Sequence, residues 1–124
     1  MRRLVGDSRA LEGATQTIAG LPGTLGAMLR NAFLRLVLAK CSPTAEVCYG
    51  TILSQPGAVI GDRVYLGCGA KILGGIRIGN DVVVAPNAVV TRDVPDKAVV
   101  GGIPARVLSE EGSHGYVSNV YPEV

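Results

Sequence analysis

The side chains of this sequence that could take part in a reaction are one histidine, three cysteines and a set of arginines. His114 is the single histidine, and it lies in Glu110-Glu-Gly-Ser-His-Gly-Tyr, a polar segment near the carboxyl end. A histidine can serve as the general base that removes a proton from a hydroxyl group. The polar surroundings favour an ordinary tail residue, so no catalytic residue is assigned from the sequence.

The cysteines, Cys41, Cys48 and Cys68, are odd in number and lack the paired C-x-x-C spacing of a zinc or redox motif. They are therefore predicted to be reduced thiols. Arg2 and Arg3 precede a polar stretch instead of an apolar one, which argues against a secretion signal. Together these features predict a cytoplasmic protein.

Charge and histidine content exclude two classes of ligand. Twelve Lys and Arg oppose ten Asp and Glu, and the basic residues are spread along the chain instead of forming the stripe that follows a nucleic-acid backbone. No nucleic-acid partner is expected. A single histidine cannot build a three-histidine metal centre, so no metal is expected either.

A six-residue repeat begins at Ile60 and would position most candidate residues. When the sequence from Ile60 is divided into six-residue units, the first residue of every unit is a branched aliphatic and the fifth residue is always apolar. The first positions are Ile60, Leu66, Ile72, Ile78, Val84 and Val90, and the fifth positions are Val64, Ala70, Ile76, Val82, Ala88 and Val94. Agreement at every one of these positions is hard to obtain by chance, so a fixed repeat is predicted.

Each hexad is predicted to form a short strand and the bend after it, with the first and fifth side chains inside. Three hexads close a triangular coil, and stacked coils pair their backbone groups with the coils above and below. Small aliphatic residues suit so narrow a column, and the sequence has 17 Gly, no Trp and one Phe. The expected fold is mainly β, a parallel β-helix of about three to four coils preceded by one amphipathic α-helix.

An ordinary sheet domain or two βαβ units explain the period less well. Strands of a half-buried sheet alternate over longer runs, and a parallel open sheet needs helical crossovers, which are absent after Lys40. The frame weakens upstream, where Ser54 stands at an expected aliphatic position, so at most one irregular coil precedes Ile60. Downstream, Pro95-Asp96-Lys97 interrupts the frame before Val100.

Four segments are predicted in all. Residues 1–20 show no sustained period and are read as a flexible arm, residues 21–40 as a helix, residues 41–107 as the β-helix and residues 108–124 as a tail.

The helix prediction rests on apolar residues at three- and four-residue spacing, with arginine and lysine side chains placed on the solvent side. The apolar stripe is Leu25, Met28, Leu29, Phe33, Leu36 and Val37, and the solvent side is Arg30, Arg35 and Lys40. Packing against the domain or a neighbouring subunit is the favoured interpretation. Contact with a membrane surface is the alternative.

The stretch from Ile60 to Asn80, the run Val90-Thr-Arg-Asp-Val-Pro and the run Gly102-Ile-Pro-Ala-Arg-Val resemble the hexapeptide-repeat acetyltransferases. The resemblance is nearest to serine O-acetyltransferases and polysaccharide O-acetyltransferases, and it covers about residues 50–117. It implies a left-handed helix, a homotrimer and an acyl-CoA donor held in a groove between adjacent subunits. The low number of coils resembles a shortened member.

The resemblance carries over to five cofactor-binding positions. Cys68 and Pro86, eighteen residues apart, match the corner positions along which the pantetheine arm of acetyl-CoA lies. Thr91 and Arg92 match a pair that reaches the nucleotide end, and Arg106 matches the basic residue after Pro-Ala. Guanidinium groups suit this role because they offer paired donors to phosphate.

Simpler interpretations of these residues stay open. Cys68 and Pro86 could be plain corner residues, and Arg92 could pair with Asp93 or Asp96 on the surface, a contact of small energetic weight.

The family uses a histidine base on the coil before the cofactor corner, and this chain has none there. Two functions therefore remain: an acetyl-CoA-dependent O-acetyltransferase acting on a hydroxyl of serine or a sugar, and a catalytically silent trimeric scaffold or shortened remnant.

Overall fold

The structure, a computed structural model, describes residues 8–20 and 23–113. Two helices come first, α1 (Ser8–Ala19) and α2 (Gly23–Val37). Eleven short strands follow: β1 (Lys40–Cys41), β2 (Glu46–Val47), β3 (Ile52–Leu53), β4 (Val59–Ile60), β5 (Tyr65–Leu66), β6 (Lys71–Ile72), β7 (Arg77–Ile78), β8 (Val83–Val84), β9 (Val89–Val90), β10 (Val99–Gly101) and β11 (Arg106–Ser109).

The strands form three sheets, which are the walls of a β-helix. The first wall is β1-β4-β7, the second is β2-β5-β8-β10 with β11 added at its edge, and the third is β3-β6-β9. From β1 to β10, consecutive strands lie in different walls. Strands β1 to β6 and β8 each pair in parallel with the strand one coil later. The predicted left-handed β-helix is confirmed, with three complete coils and the start of a fourth.

The inside of the column consists of the predicted repeat positions. All first and fifth positions of the hexads are buried, and the most exposed of them, Ile76, shows only 9% of its surface. A fully buried Val, Leu or Ile contributes about 1.5–3 kcal/mol relative to an exposed one. Stacking of aliphatic side chains along one axis is therefore the main source of stability.

The first coil departs from the six-residue frame at one place. Cys41, Val47 and Leu53 are buried inside the column, whereas Ser54 lies at a bend and its Oγ accepts a hydrogen bond from the Gly74 amide at 2.9 Å. Strand β2 pairs nineteen residues ahead with β5, but β5 pairs eighteen residues ahead with β8. One additional residue between β3 and β4 shifts the frame, so one irregular coil precedes Ile60 as predicted, with Leu53 and not Ser54 as its inward residue.

The last coil is shorter by two residues. Val83 of β8 pairs with Val99 of β10, sixteen residues later, and Ile78 forms an isolated bridge with Val94. Strand β11 then turns back and pairs antiparallel with β10. The antiparallel strand covers the edge of the second wall, which would otherwise present unpaired backbone groups.

Helix α2 closes the opposite end of the column. Carbonyl groups of the first coil that point away from the second coil have no strand to pair with. Asn31 Nδ2 donates to the carbonyls of Ser42 at 3.1 Å and Ala45 at 2.9 Å, and Arg30 Nε donates to the carbonyl of Val47 at 2.9 Å. A buried carbonyl without a partner costs about 1–3 kcal/mol, so these two polar side chains stabilise the end of the sheet.

The predicted orientation of this helix was wrong. Arg30 was expected on the solvent side but is only 2% exposed, because its guanidinium donates a hydrogen bond to the Val47 carbonyl at the end of the column. Most of the predicted apolar stripe faces outward instead. Its exposed members are Leu25, Met28, Leu29 and Leu36. The side that packs on the column carries Leu34 and Val37, followed by Leu38.

The segment predicted as a flexible arm contains α1. The carbonyl of Ala19 at its end accepts a hydrogen bond from the Gly50 amide at 2.9 Å, and Ala19 is buried. The position of α1 is therefore set by this contact with the β-helix, and no apolar period in the sequence indicated it. Neither helix in the described part of the chain has the length and apolar character to cross a membrane.

Candidate functional site

Cys68 and Pro86 lie at one corner of the β-helix, between the second and third walls, in successive coils. The amide of Asn87 donates to the carbonyl of Cys68 at 2.9 Å, which joins the two coils there. Both predicted side chains are exposed. The structure therefore brings these two residues together along one open edge, which we call the Cys68–Pro86 corner.

Gly67 allows the coils to approach closely at this corner. A Cβ atom on Gly67 would lie 2.7 Å from both the Pro86 nitrogen and the Val84 carbonyl oxygen. The Gly67 amide donates to that same oxygen at 2.8 Å. Gly69 and Asn87 adopt positive φ angles of 75° and 59°, which turn the chain sharply after each strand. Gly67 is itself buried, because the backbone of the next coil fills the space that a side chain would take.

Arg106 belongs to the upper end of the same corner. It pairs with Gly101 across β10 and β11, and a Cβ atom on Gly101 would lie 3.1 Å from the Ala85 Cβ, directly before Pro86. The Arg106 side chain is exposed, and one of its nitrogens donates to the Ala105 carbonyl at 3.2 Å. It forms no ion pair with any carboxylate in residues 8–20 and 23–113.

Thr91 and Arg92 follow β9 and lie at the next corner, between the third and first walls. No contact joins them to the Cys68–Pro86 corner within the described chain. Asp93, one alternative partner of Arg92, accepts a hydrogen bond from the Arg77 amide at 2.8 Å, and Asp96 accepts one from a backbone amide of the coil below. Arg92 is exposed and makes no ion pair among the residues that the structure covers.

His114 lies outside the described residues, as does most of the tail. Within the ranges 8–20 and 23–113, no three His, Cys, Asp or Glu side chains converge as metal ligands would.

Sequence reasoning missed a group of side chains beside the corner, which we call the thiol cluster: Arg30, Cys48, Tyr65 and Cys68. The Tyr65 hydroxyl donates a hydrogen bond to the Cys48 sulfur, and the Cys48 thiol is hydrogen-bonded to the Cys68 sulfur. The nineteen-residue register between β2 and β5 places Cys48 opposite Gly67, the residue directly before Cys68, in the neighbouring coil. That register depends on the frame shift after β3, so the hexad reading starting at Ile60 could not reveal the cluster.

The surroundings of the cluster change its acid–base behaviour. Burial raises the pKa of the Cys48 thiol, while the hydrogen bond from Tyr65 acts in the opposite direction. The hydrogen bond to Cys48 is the main reason that the pKa of Tyr65 is raised. Burial lowers the pKa of Arg30. Cys41, by contrast, lies inside the column, where burial raises the pKa of its thiol to about 11.

The family description "Bacterial transferase hexapeptide (six repeats)" matches residues 57–92. The match covers 36 of the 124 residues. The matched segment contains Cys68, Pro86, Thr91 and Arg92 and excludes Arg106.

Similar proteins include named acetyltransferases. A serine acetyltransferase of Mycobacterium tuberculosis is 39% identical over 79 residues, which are 58% of this chain and 34% of the relative. A 2,3,4,5-tetrahydropyridine-2,6-dicarboxylate N-acetyltransferase of Staphylococcus aureus is 44% identical over 62 residues, 48% of this chain and 26% of the relative. The match thus spans between about a quarter and a third of the length of these curated relatives.

Among solved structures, a serine acetyltransferase from Brucella abortus strain S19 is 27% identical. The TM-score is 0.41, and the overlap covers 57% of this chain and 42% of the other.

Proposed function

We propose that this chain is a hexapeptide-repeat acetyltransferase, which binds acetyl-CoA along the Cys68–Pro86 corner and transfers the acetyl group to a hydroxyl group of serine or a sugar. The observation that carries the proposal is the open corner itself. Cys68 and Pro86 are exposed in successive coils, and Gly67 lets those coils approach closely enough to form one continuous edge. A pantetheine arm, which is thin and carries two amides, is a ligand that such an edge can hold by backbone hydrogen bonds.

The charged end of acetyl-CoA requires cationic donors. Arg106 lies at the top of the corner, and its guanidinium has no carboxylate partner in the described chain. Phosphate groups favour a guanidinium because two of its N–H groups can bind two oxygens together. Arg106 is therefore proposed to contact a phosphate of the nucleotide.

Thr91 and Arg92 lie at a different corner of the same chain, so their part in the site requires a second subunit. We accordingly propose a homotrimer in which this corner of one subunit faces the Cys68–Pro86 corner of the next. A column of three coils has little core of its own and gains from lateral packing. Light scattering of the purified chain tests the assembly, since a stable monomer would leave Thr91 and Arg92 without a role in binding.

Replacing Arg106 by alanine is expected to weaken acetyl-CoA binding about tenfold, because one charge-assisted hydrogen bond to phosphate is lost. Isothermal titration calorimetry measures the effect. The matched control is Arg77→Ala, which removes an exposed arginine from the first wall, and its affinity should stay unchanged. If both substitutions weakened acetyl-CoA binding equally, Arg106 would contribute only through the overall charge of the protein and not through a direct contact with phosphate.

Acetyl transfer is expected to release CoA thiol when the chain is mixed with acetyl-CoA and an acceptor. The hydroxyl oxygen attacks the thioester carbonyl carbon, its proton passes to a base, and the CoA sulfur leaves with the electron pair of the broken C–S bond. Following free thiol with serine and with sugar acceptors measures the reaction.

The second candidate function, a silent trimeric scaffold, is favoured by the absence of a histidine from all described coils. Acetyl-CoA binding without thiol release above the buffer rate, for every acceptor, would support it. If thiol release is found, the variant His114→Ala tests the single histidine of the sequence, and unchanged turnover would exclude His114 as the base.

The cytoplasmic location of the protein stays a prediction.

A further inference from the structure

Two sulfur atoms meet at the edge of the proposed cofactor corner. Cys48 lies in the first coil and Cys68 in the second, and their side chains are hydrogen-bonded to each other. Cys68 is exposed and Cys48 is partly buried. One thiol is therefore open to solvent while its neighbour lies just beneath the surface.

The backbone holds this pair within reach of a disulfide bond. The Cys48 amide donates to the Leu66 carbonyl at 3.0 Å, and the Gly69 amide donates to the Tyr49 carbonyl at 2.9 Å, so hydrogen bonds join the two coils on both sides of the pair. By the register between β2 and β5, Cys48 lies opposite Gly67 and Cys68 opposite Tyr49, so the two cysteines are diagonal neighbours in adjacent coils. Adjacent parallel strands lie about 4.8 Å apart, and a diagonal offset of one residue falls within the range of about 4.4–6.8 Å over which disulfides join Cα atoms.

The remaining side chains of the thiol cluster surround the two sulfur atoms. The Arg30 guanidinium lies close enough to interact electrostatically with both cysteines. The Tyr65 hydroxyl donates to the Cys48 sulfur and fixes its position. Cys41 shares none of these partners, because it is buried in the column.

We propose that Cys48 and Cys68 form a reversible disulfide when a hydroperoxide oxidises the chain. The Cys68 thiolate attacks one peroxide oxygen, the O–O bond breaks, and a sulfenic acid and one water form. The Cys48 sulfur then attacks the Cys68 sulfur, the S–S bond forms, and the S–O bond breaks to release a second water. In total, two thiols and one hydrogen peroxide give one disulfide and two waters, with two electrons passing from sulfur to oxygen.

The disulfide has a consequence that rests on the proposed function. Bond formation would turn the Cys68 side chain toward the first coil, at the corner along which the pantetheine arm is proposed to lie. Oxidation is therefore expected to weaken acetyl-CoA binding, and reduction to restore it. The thiol pair would make the proposed transferase sensitive to the redox state of its surroundings.

The test treats the reduced full-length chain with equimolar hydrogen peroxide and then counts reactive thiols in denaturant. The count is expected to fall from three to one. Trypsin cleavage after Lys40, Arg63 and Lys71 should yield a cross-link between peptides 41–63 and 64–71, which dithiothreitol removes. Persistence of all three thiols, or a cross-link between two chains, would overturn the proposal.

Two variants assign the cross-link, because peptide 41–63 contains both Cys41 and Cys48. Cys41→Ala should retain it and leave no reactive thiol after oxidation. Cys48→Ser should abolish it, with a near-native circular dichroism spectrum showing that the chain still folds. A cross-link that survives in Cys48→Ser, or disappears in Cys41→Ala, would contradict the pairing.

Acetyl-CoA, which has no free thiol, separates this proposal from the proposed function. At saturation it should slow cross-linking about tenfold, because a bound ligand of this size covers most of the surface it contacts. If the rate of cross-linking were the same with and without acetyl-CoA, the result would support the disulfide between Cys48 and Cys68 and contradict acetyl-CoA binding at the Cys68–Pro86 corner. Unchanged thiols in a chain that binds acetyl-CoA would overturn the pair and leave the cofactor corner intact.

Discussion

Replacing Leu66 by alanine is expected to lower the free energy of unfolding by about 2–5 kcal/mol. Leu66 has no exposed surface, and it stacks between Val47 of the coil below and Val84 of the coil above. Hydrogen bonds to both neighbouring coils fix the backbone, so the cavity cannot close by movement of the strand. Urea denaturation at one fixed chain concentration measures the loss, because assembly makes stability depend on concentration.

The matched control for this prediction is Leu25→Ala. Leu25 is a leucine of α2 with 67% of its surface exposed, and its removal should change the free energy of unfolding by less than about 0.5 kcal/mol. Similar losses in the two variants would mean that the aliphatic column is not what stabilises this fold. A change in the slope of the denaturation curve would indicate instead that the unfolded state had changed.

The column could be predicted because one physical requirement recurs along the sequence. Each coil brings the same positions inward, so the need for aliphatic side chains returns every six residues, as it does at Ile60, Leu66 and Ile72. Departures from the frame were harder to predict. A bend can contain one additional residue while the buried side chains of the column stay the same. For this reason, only the pairing between coils shows that Leu53, and not Ser54, is the inward residue.

The packed face of α2 could not be predicted from its apolar residues. A helix on the side of a column buries leucines, but a helix across its end must also supply hydrogen-bond donors to unpaired carbonyls. Arg30 and Asn31 meet that need and are buried for this reason, which turns Leu25 and Leu36 outward. The sequence contains the helical period but not the unpaired carbonyls of the coil that the helix covers.

The candidate site was predictable to a similar extent. A spacing of one coil places Cys68 and Pro86 together, and the structure agrees. Arg106 lies near them through the antiparallel return of β11, which no hexad indicates. Thr91 and Arg92 lie at another corner, because six residues after Ala85 the chain has already passed along the next wall.

Replacing Gly67 by alanine is expected to cost about 1–3 kcal/mol of unfolding free energy, as overpacking does in other cores. The added Cβ would lie 2.7 Å from two backbone atoms of the next coil, the Pro86 nitrogen and the Val84 oxygen. Neither atom can rotate away, so the second and third coils must separate at the Cys68–Pro86 corner. The same displacement should weaken acetyl-CoA binding, which titration calorimetry on the variant measures.

Gly57→Ala is the matched control, because its bend is open. The nearest atom to a Cβ on Gly57 is the Gly75 Cα at 3.9 Å, an ordinary van der Waals distance, and Gly57 does not have a positive φ. Alanine at such a position restricts the unfolded chain and is expected to stabilise the protein by about 0.4–1 kcal/mol. The two substitutions add the same methyl group but should shift the urea midpoint in opposite directions. A shift of the same sign in both would contradict the close contact between coils on which the cofactor corner depends.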